Sequence, residues 1–237
     1  MKTDAIPGFE DPVSSFTHLL GACVISLLLF KLFRKGHIGR KHPIPILLYG
    51  VTSIFLLSMS GIYHLLPKDT NARYVLRILD HAGIFLLISG TLIAIHLVLF
   101  SGMMKRAFII VTSTIAILGI TFGTIYFNDL PAYMTHAIFV TFGLFGLATI
   151  IAIVSLKKGV QFKYLLLGGA AYVTGAFIDW VGAPVLIPVY FGAHELFHIA
   201  VLLGLTFHWI FLLRLIDTYY SEDKPSDRQN YEKIIVA

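Results

Sequence analysis

The sequence is short of charge. Lysine, arginine, aspartate and glutamate make up 13% of its 237 residues, roughly half the share of an ordinary soluble domain. That deficit excludes a water-facing surface over most of the chain and points to lipid as the main solvent. Cysteine is scarcer still. The single one, Cys23, sits inside an apolar run, so a disulfide framework within the chain is excluded, and a small apolar filler is the expected role. No Asn-x-Ser/Thr sequon occurs. The opening residues, MKTDAIPGFEDP, carry no basic stretch ahead of an apolar core, so no cleaved signal peptide is expected. The net charge of +5 does not suggest nucleic acid as a partner. The basic residues fall between apolar runs rather than along one helical face, as membrane loops do.

What the sequence has in abundance is apolar length. A bilayer core takes about 20 apolar residues as helix, and seven stretches fit: Phe16 to Phe33, Ile44 to Leu66, Leu76 to Phe100, Ala107 to Phe127, Ala132 to Leu156, Tyr164 to Ile187, and Val189 to Leu213. Charge, Gly or Pro punctuates each break. The last two runs are separated only by the Pro184 to Pro188 turn. Helices are required, because single strands cannot satisfy their backbone groups in lipid. The expected architecture is an all-α integral membrane protein. A seven-transmembrane-helix domain spans 1–216, and a short, loose polar tail follows at 217–237. Lys and Arg are divided 4 to 14 between the two sides. The side with the N-terminus has Lys2, Lys68, Arg73 and Arg77. Positive charge favours the cytoplasm, so the N-terminus is expected outside and the C-terminus inside.

Ionisable side chains within membrane helices cost at least ~2.5 kcal/mol near the centre on insertion scales, and are read as functional. His64 ends the second run, Asp80 opens the third, and His194 and His198 open the seventh. All four lie near the face that carries the N-terminus. The i, i+4 spacing of His194 and His198 puts both imidazoles on one side of a helix. With His64 they form a candidate three-ligand zinc site. Three protein ligands and one open position describe a catalytic zinc, whereas structural sites are closed by four. Ser60 lies one turn before His64, and Asp80 could orient a ligand or a water.

The segment HELFH also fits the His-Glu-x-x-His pattern of soluble zinc proteases. Glu195, however, projects about 100° from His194 on a helix. Other polar residues have plainer readings. His81, His96 and His136 suit helix-to-helix hydrogen bonds. His18 and His208 suit packing or a supporting role, and Asp179 suits a solvated carboxylate at the interface.

The segments EDPVSSFTHLLG, SGIYH at 60–64, RILDHAGIFLLISGT at 77–91 and HELFHIAVLLGLTFH at 194–208 resemble the hemolysin III branch of the progestin and adipoQ receptor family. The core pattern is shared with alkaline ceramidases. The resemblance implies seven helices, zinc on His64, His194 and His198, and Ser60 and Asp80 as the neighbouring catalytic or water-positioning residues. It also implies a lipid-accessible cavity holding a membrane lipid or fatty acid, and a place in the bacterial inner membrane. The adiponectin receptors, by contrast, put their N-terminus in the cytoplasm. After Thr91 this chain reads LIAIHLVLF where bacterial relatives usually have a Tyr-Thr-Pro-like stretch, so a straighter third helix is expected.

The leading expectation is a zinc-dependent hydrolase of a lipid amide or ester. A lipid sensor with structural zinc comes next, and a haemolysin or pore-former third. A relay through His96, His136 and His208 is the weakest reading.

Overall fold

A computed structural model of the chain describes residues 10–34, 42–155, 162–188 and 190–221. Among them lie eight α-helices: α1 (Pro12–Arg34), α2 (Pro43–Leu65), α3 (Asn71–Leu99), α4 (Gly102–Ile125), α5 (Ala132–Gly143), α6 (Phe145–Ser155), α7 (Lys163–Val181) and α8 (Ala193–Ser221). They provide seven spans long and apolar enough to cross a membrane, because α5 and α6 are two halves of one. The break at Leu144 lies between Gly143 and Gly146, and paired small residues are a usual place for a helix to break.

The helices begin and end where local chemistry dictates. The Pro43 ring is tolerated in the first turn of α2. Thr70 caps α3, its hydroxyl accepting from the Arg73 N–H at 3.2 Å. α3 therefore starts five residues before the apolar run, in polar sequence. Its C-terminal half runs unbroken to Leu99, through the segment after Thr91. Gly182 ends α7 in the left-handed region at φ 70°, which suits a residue without Cβ.

That stop corrects one expectation. The sixth apolar run reaches Ile187, but its helix ends at Val181, and the described residues 182–188 and 190–192 form a turn-rich connection. Apolar composition continues there, while Gly182, Pro184 and Pro188 cannot continue a helix. At the other end, α8 extends to Ser221, so the stretch from Asp217 begins as helix rather than loose tail. The basic segments at 35–41 and 156–161, and residues 222–237, lie outside the described residues.

α3 and α8 form the centre. α3 packs against α2, α4, α5, α6 and α8, while α8 packs against α1, α3 and α7. Leu57, Ile95, Leu205, Leu212 and Leu215 are fully buried between them and α2. The outer faces carry exposed Leu, Ile, Val and Phe, as lipid-facing surfaces do. Lipid supplies no hydrophobic drive between helices, so close packing must hold them together. Gly61 lets α2 approach α1 closely. A Cβ there would lie 2.7 Å from Leu19. Beside that contact the Ser15 hydroxyl donates to the Gly61 carbonyl at 2.8 Å. This junction lies one turn below His64.

Candidate metal centre

Three histidines meet at one end of the bundle. His64 comes from the last turn of α2, and His194 and His198 from the first two turns of α8. Their Nε2 atoms converge. His194 Nε2 lies 3.3 Å from His64 Nε2 and 3.1 Å from His198 Nε2. Tetrahedral zinc with bonds of about 2.05 Å would hold its ligand nitrogens about 3.3 Å apart, so the spacing suits a metal ion.

Carboxylates behind the rings fix their orientation. His64 Nδ1 donates to Asp11 Oδ2 at 3.1 Å, and His194 Nδ1 donates to Asp179 Oδ1 at 2.9 Å. With both Nδ1 protons committed, the neutral rings point Nε2 lone pairs at each other. Two lone pairs at 3.3 Å repel, and a cation between them removes the conflict. This carboxylate–histidine arrangement recurs behind metal-ligating imidazoles. A metal ion can therefore be held by His64, His194 and His198.

Each carboxylate is itself anchored. Asp11 Oδ2 also accepts from Arg73 Nη2 at 3.0 Å, and its backbone N–H donates to the His64 carbonyl at 3.0 Å. Arg73 reaches the Leu66 carbonyl as well, with its guanidinium over the Tyr63 ring at 4.6 Å. Glu10 pairs with Lys68. Burial alone would raise the Asp11 pKa, but the hydrogen bonds and charges of His64 and Arg73 outweigh it and hold the carboxyl below its ordinary value. On the other flank Asp179 Oδ2 accepts from His136 Nε2 at 2.9 Å. The chain His136–Asp179–His194 thus links α5, α7 and α8.

A cavity of about 190 Å³ borders the histidines, the more polar of two although much of its wall is apolar. His194 and His198 line it together with His18, Ser60, Asp80 and Asp179. The Ser60 hydroxyl and the Asp80 carboxyl face each other there. A second cavity of about 410 Å³ adjoins it, and both are lined by Leu56, Ile84, His136, Phe139, Phe197 and Val201. The second is almost wholly apolar and reaches His208 on α8. From His194 to His208 the helix rises about 21 Å at 1.5 Å per residue.

The family described as Haemolysin-III related matches residues 9–209, most of the chain and all of the site. The chain belongs to the haemolysin III family. Among its curated relatives is Hemolysin-3 of Bacillus cereus, 28% identical over 203 residues that cover 82% of this chain and 86% of the relative. A Hemolysin-3 homolog of Bacillus subtilis is 24% identical over 178 residues, covering 74% and 83%.

In this haemolysin III member, the five residues singled out in sequence lie in one place. His194, His198, Ser60 and Asp80 line the cavity, and His64 closes the histidine cluster. Glu195 does not join them. Its Oε2 accepts from the Gly192 N–H at 2.7 Å and its Oε1 from the Ser14 hydroxyl at 3.3 Å. It caps the start of α8 and ties it to α1, which accounts for a carboxylate in the first turn. The remaining histidines have separate partners. His96 meets Thr149 across two helices at 2.8 Å, His81 bonds its own helix at the Arg77 carbonyl, and His208 donates to the Leu165 carbonyl. No described hydrogen bond joins His96, His136 and His208 into a relay.

Sequence reasoning missed two residues. Asp11 lay in the quoted N-terminal segment without a role. Asp179, expected as a solvated interfacial carboxylate, is instead held between two imidazoles with its side chain 17% exposed. A signal existed for Asp179. It ends its helix on the same face as His194, where a metal-bound imidazole needs a carboxylate behind it.

Proposed function

We propose that the protein is a zinc-dependent membrane hydrolase that cleaves an acyl amide or ester in a lipid. The observation that carries this reading is the junction of two spaces. Three convergent imidazoles border a polar cavity with Ser60 and Asp80, and that cavity adjoins an apolar chamber of about 410 Å³, within the range of ligand sites. The Lys and Arg asymmetry favours the N-terminus, and hence the site, on the outer side of a bacterial inner membrane.

Zinc on three histidines would supply Lewis acidity and water activated at neutral pH. The chain's own residues then divide the work. The Asp80 carboxylate takes the proton of the attacking water. As the C–N or C–O bond of the acyl group breaks, the same carboxyl returns that proton to the leaving amine or alcohol. The Ser60 hydroxyl donates to the acyl oxygen as negative charge develops on it. The apolar chamber takes the acyl chain and holds the carbonyl at the polar end. Water and acyl lipid are consumed, and a fatty acid and an amine or alcohol are formed.

Free fatty acid release from ceramides and phospholipids by purified, zinc-loaded protein in nanodiscs tests this. Release above that of a His194→Ala variant is expected. No release over a broad lipid panel overturns it.

One observation favours a second reading, a lipid sensor with structural zinc. The histidines and their carboxylates tie the segment before α1 to α2, α7 and α8, so the metal would brace the fold. Zinc removal would then lower thermal stability without any product ever forming. The relatives are named hemolysins, but a pore requires polar groups along its whole length. Among the described residues the ionisable groups that meet one another gather at one end, while His96 and His208 lie apart with separate partners, so no continuous polar path is formed and pore formation ranks third.

A further inference from the structure

His18 has no part in the scheme above, yet its surroundings demand one. It lies on α1, 3% exposed, and among the described residues neither buried ring nitrogen has a partner at normal hydrogen-bond geometry. Its ring stacks on that of His198, with centroids 3.9 Å apart and planes inclined by 31°. It also lines the polar cavity, across which Ser60 and Asp80 stand. A buried polar atom without a partner destabilises the fold, and phenylalanine would fill the same space without that cost. The stacking and the orphaned nitrogens act together. The ring lies against a candidate metal-binding histidine, and it forms part of the wall that a ligand entering the cavity would meet.

We infer that His18 is a ligand-binding residue: its imidazole N–H donates to the oxygen of the acyl group in the polar cavity, beside the Ser60 hydroxyl. A neutral imidazole carries one donor and one acceptor. The donor suits an acyl carbonyl before cleavage and a fatty-acid carboxylate afterwards. Ser60 from α2 and His18 from α1 would then hold the oxygen from two helices. The identity of the ligand rests on the acyl-lipid reading above, but the role of His18 does not depend on turnover.

The test uses the purified full chain, zinc-loaded, in detergent micelles, with oleate as probe and calorimetry as readout. Zinc content is measured on the same samples. His18→Phe keeps the stack and removes both nitrogens. It is expected to retain one zinc per chain and to bind oleate at least about ten-fold more weakly, the loss of one hydrogen bond to a charged group. Asn can replace the Nδ1 position and Gln the Nε2 position. One of His18→Asn and His18→Gln is expected to recover affinity to within about three-fold of wild type, which also identifies the donating nitrogen. If His18→Phe does not fold, the contrast between Asn and Gln decides. Wild-type oleate affinity in His18→Phe, equal affinity in Asn and Gln, loss of zinc from a folded His18→Phe, or no oleate binding by wild type each overturns the inference. Absence of lipid turnover with the expected oleate pattern overturns the hydrolase reading alone.

Discussion

Replacing Asp179 with asparagine isolates the contribution of a charge that touches no metal. The side chain keeps its size and its place between His136 Nε2 and His194 Nδ1, each 2.9 Å from a carboxylate oxygen. Asparagine has one acceptor where the carboxylate has two. If its oxygen faces His194, its NH2 group faces His136, whose ring must change tautomer to accept. If it turns round, the His194 N–H meets another donor, and the ring loses the bond that keeps its Nε2 lone pair on the metal side. Either way the negative charge behind His194 is gone and the imidazole becomes a weaker ligand. Loss of such a partner typically lowers metal affinity about 10–100-fold, or about 1.4–2.7 kcal/mol.

Competition against a zinc chelator of known affinity, with protein in detergent, measures this directly. Asp179→Asn should bind zinc at least about ten-fold more weakly, and circular dichroism should show the helices unchanged. Affinity within about three-fold of wild type, in a preparation where His194→Ala loses zinc, would refute the outer-carboxylate argument. His136→Phe leaves Asp179 charged but lacking one donor. Its effect should be smaller than that of Asp179→Asn and in the same direction.

The other predictions concern the rest of the site and its scaffold. Asp11→Asn should weaken zinc by a similar 10–100-fold through His64, read by the same competition assay. Glu195→Ala should leave zinc affinity within about three-fold and lower thermal stability instead, by about 0.5–2 kcal/mol, because Glu195 caps α8 rather than serving the metal; a zinc loss like that of Asp179→Asn would restore the protease-like reading. Chelation should lower the melting temperature of wild type and leave that of His198→Ala unchanged, since a ligand at about 100 times its Kd stabilises by about 2.7 kcal/mol. Gly168→Ala should destabilise by about 1–3 kcal/mol in thermal or denaturant unfolding, because a Cβ at that position would lie 2.1 Å from His208 Cδ2.

Some of this arrangement is readable from the chain and some is not, and the division has a physical basis. Membrane spans announce themselves, because lipid demands about 20 apolar residues in a row and removes most other choices. The ends of spans are less legible. Residues 182 to 187 are apolar enough to extend a span, but backbone chemistry at Gly182 and Pro184 ends α7 early. The polar start of α3 is the reverse case, where Thr70 capping carries the helix past its apolar run. The break at Leu144 lies inside a continuous apolar stretch, and only the flanking glycines hint at it.

The same division runs through the site. His194 and His198 are one helical turn apart, so their shared direction follows from helix geometry. His64, Ser60 and Asp80 stand out because a polar group in lipid needs a reason. Asp11 and Asp179 escape that logic. They lie at the ends of helices, where a carboxylate can be hydrated and needs no explanation. Only the fold brings Asp11 onto His64 and Asp179 onto His194. His18 shows the opposite limit. Its polarity inside α1 is visible in sequence, but whether it packs, ligates or binds depends on what lies within reach. Its ring lies against His198 and lines the cavity, while its buried nitrogens have no partner at normal geometry among the described residues. A residue that packs by its face and leaves its edge unsatisfied is built for a ligand, and this is why His18→Phe, which preserves the first property and deletes the second, separates the two roles.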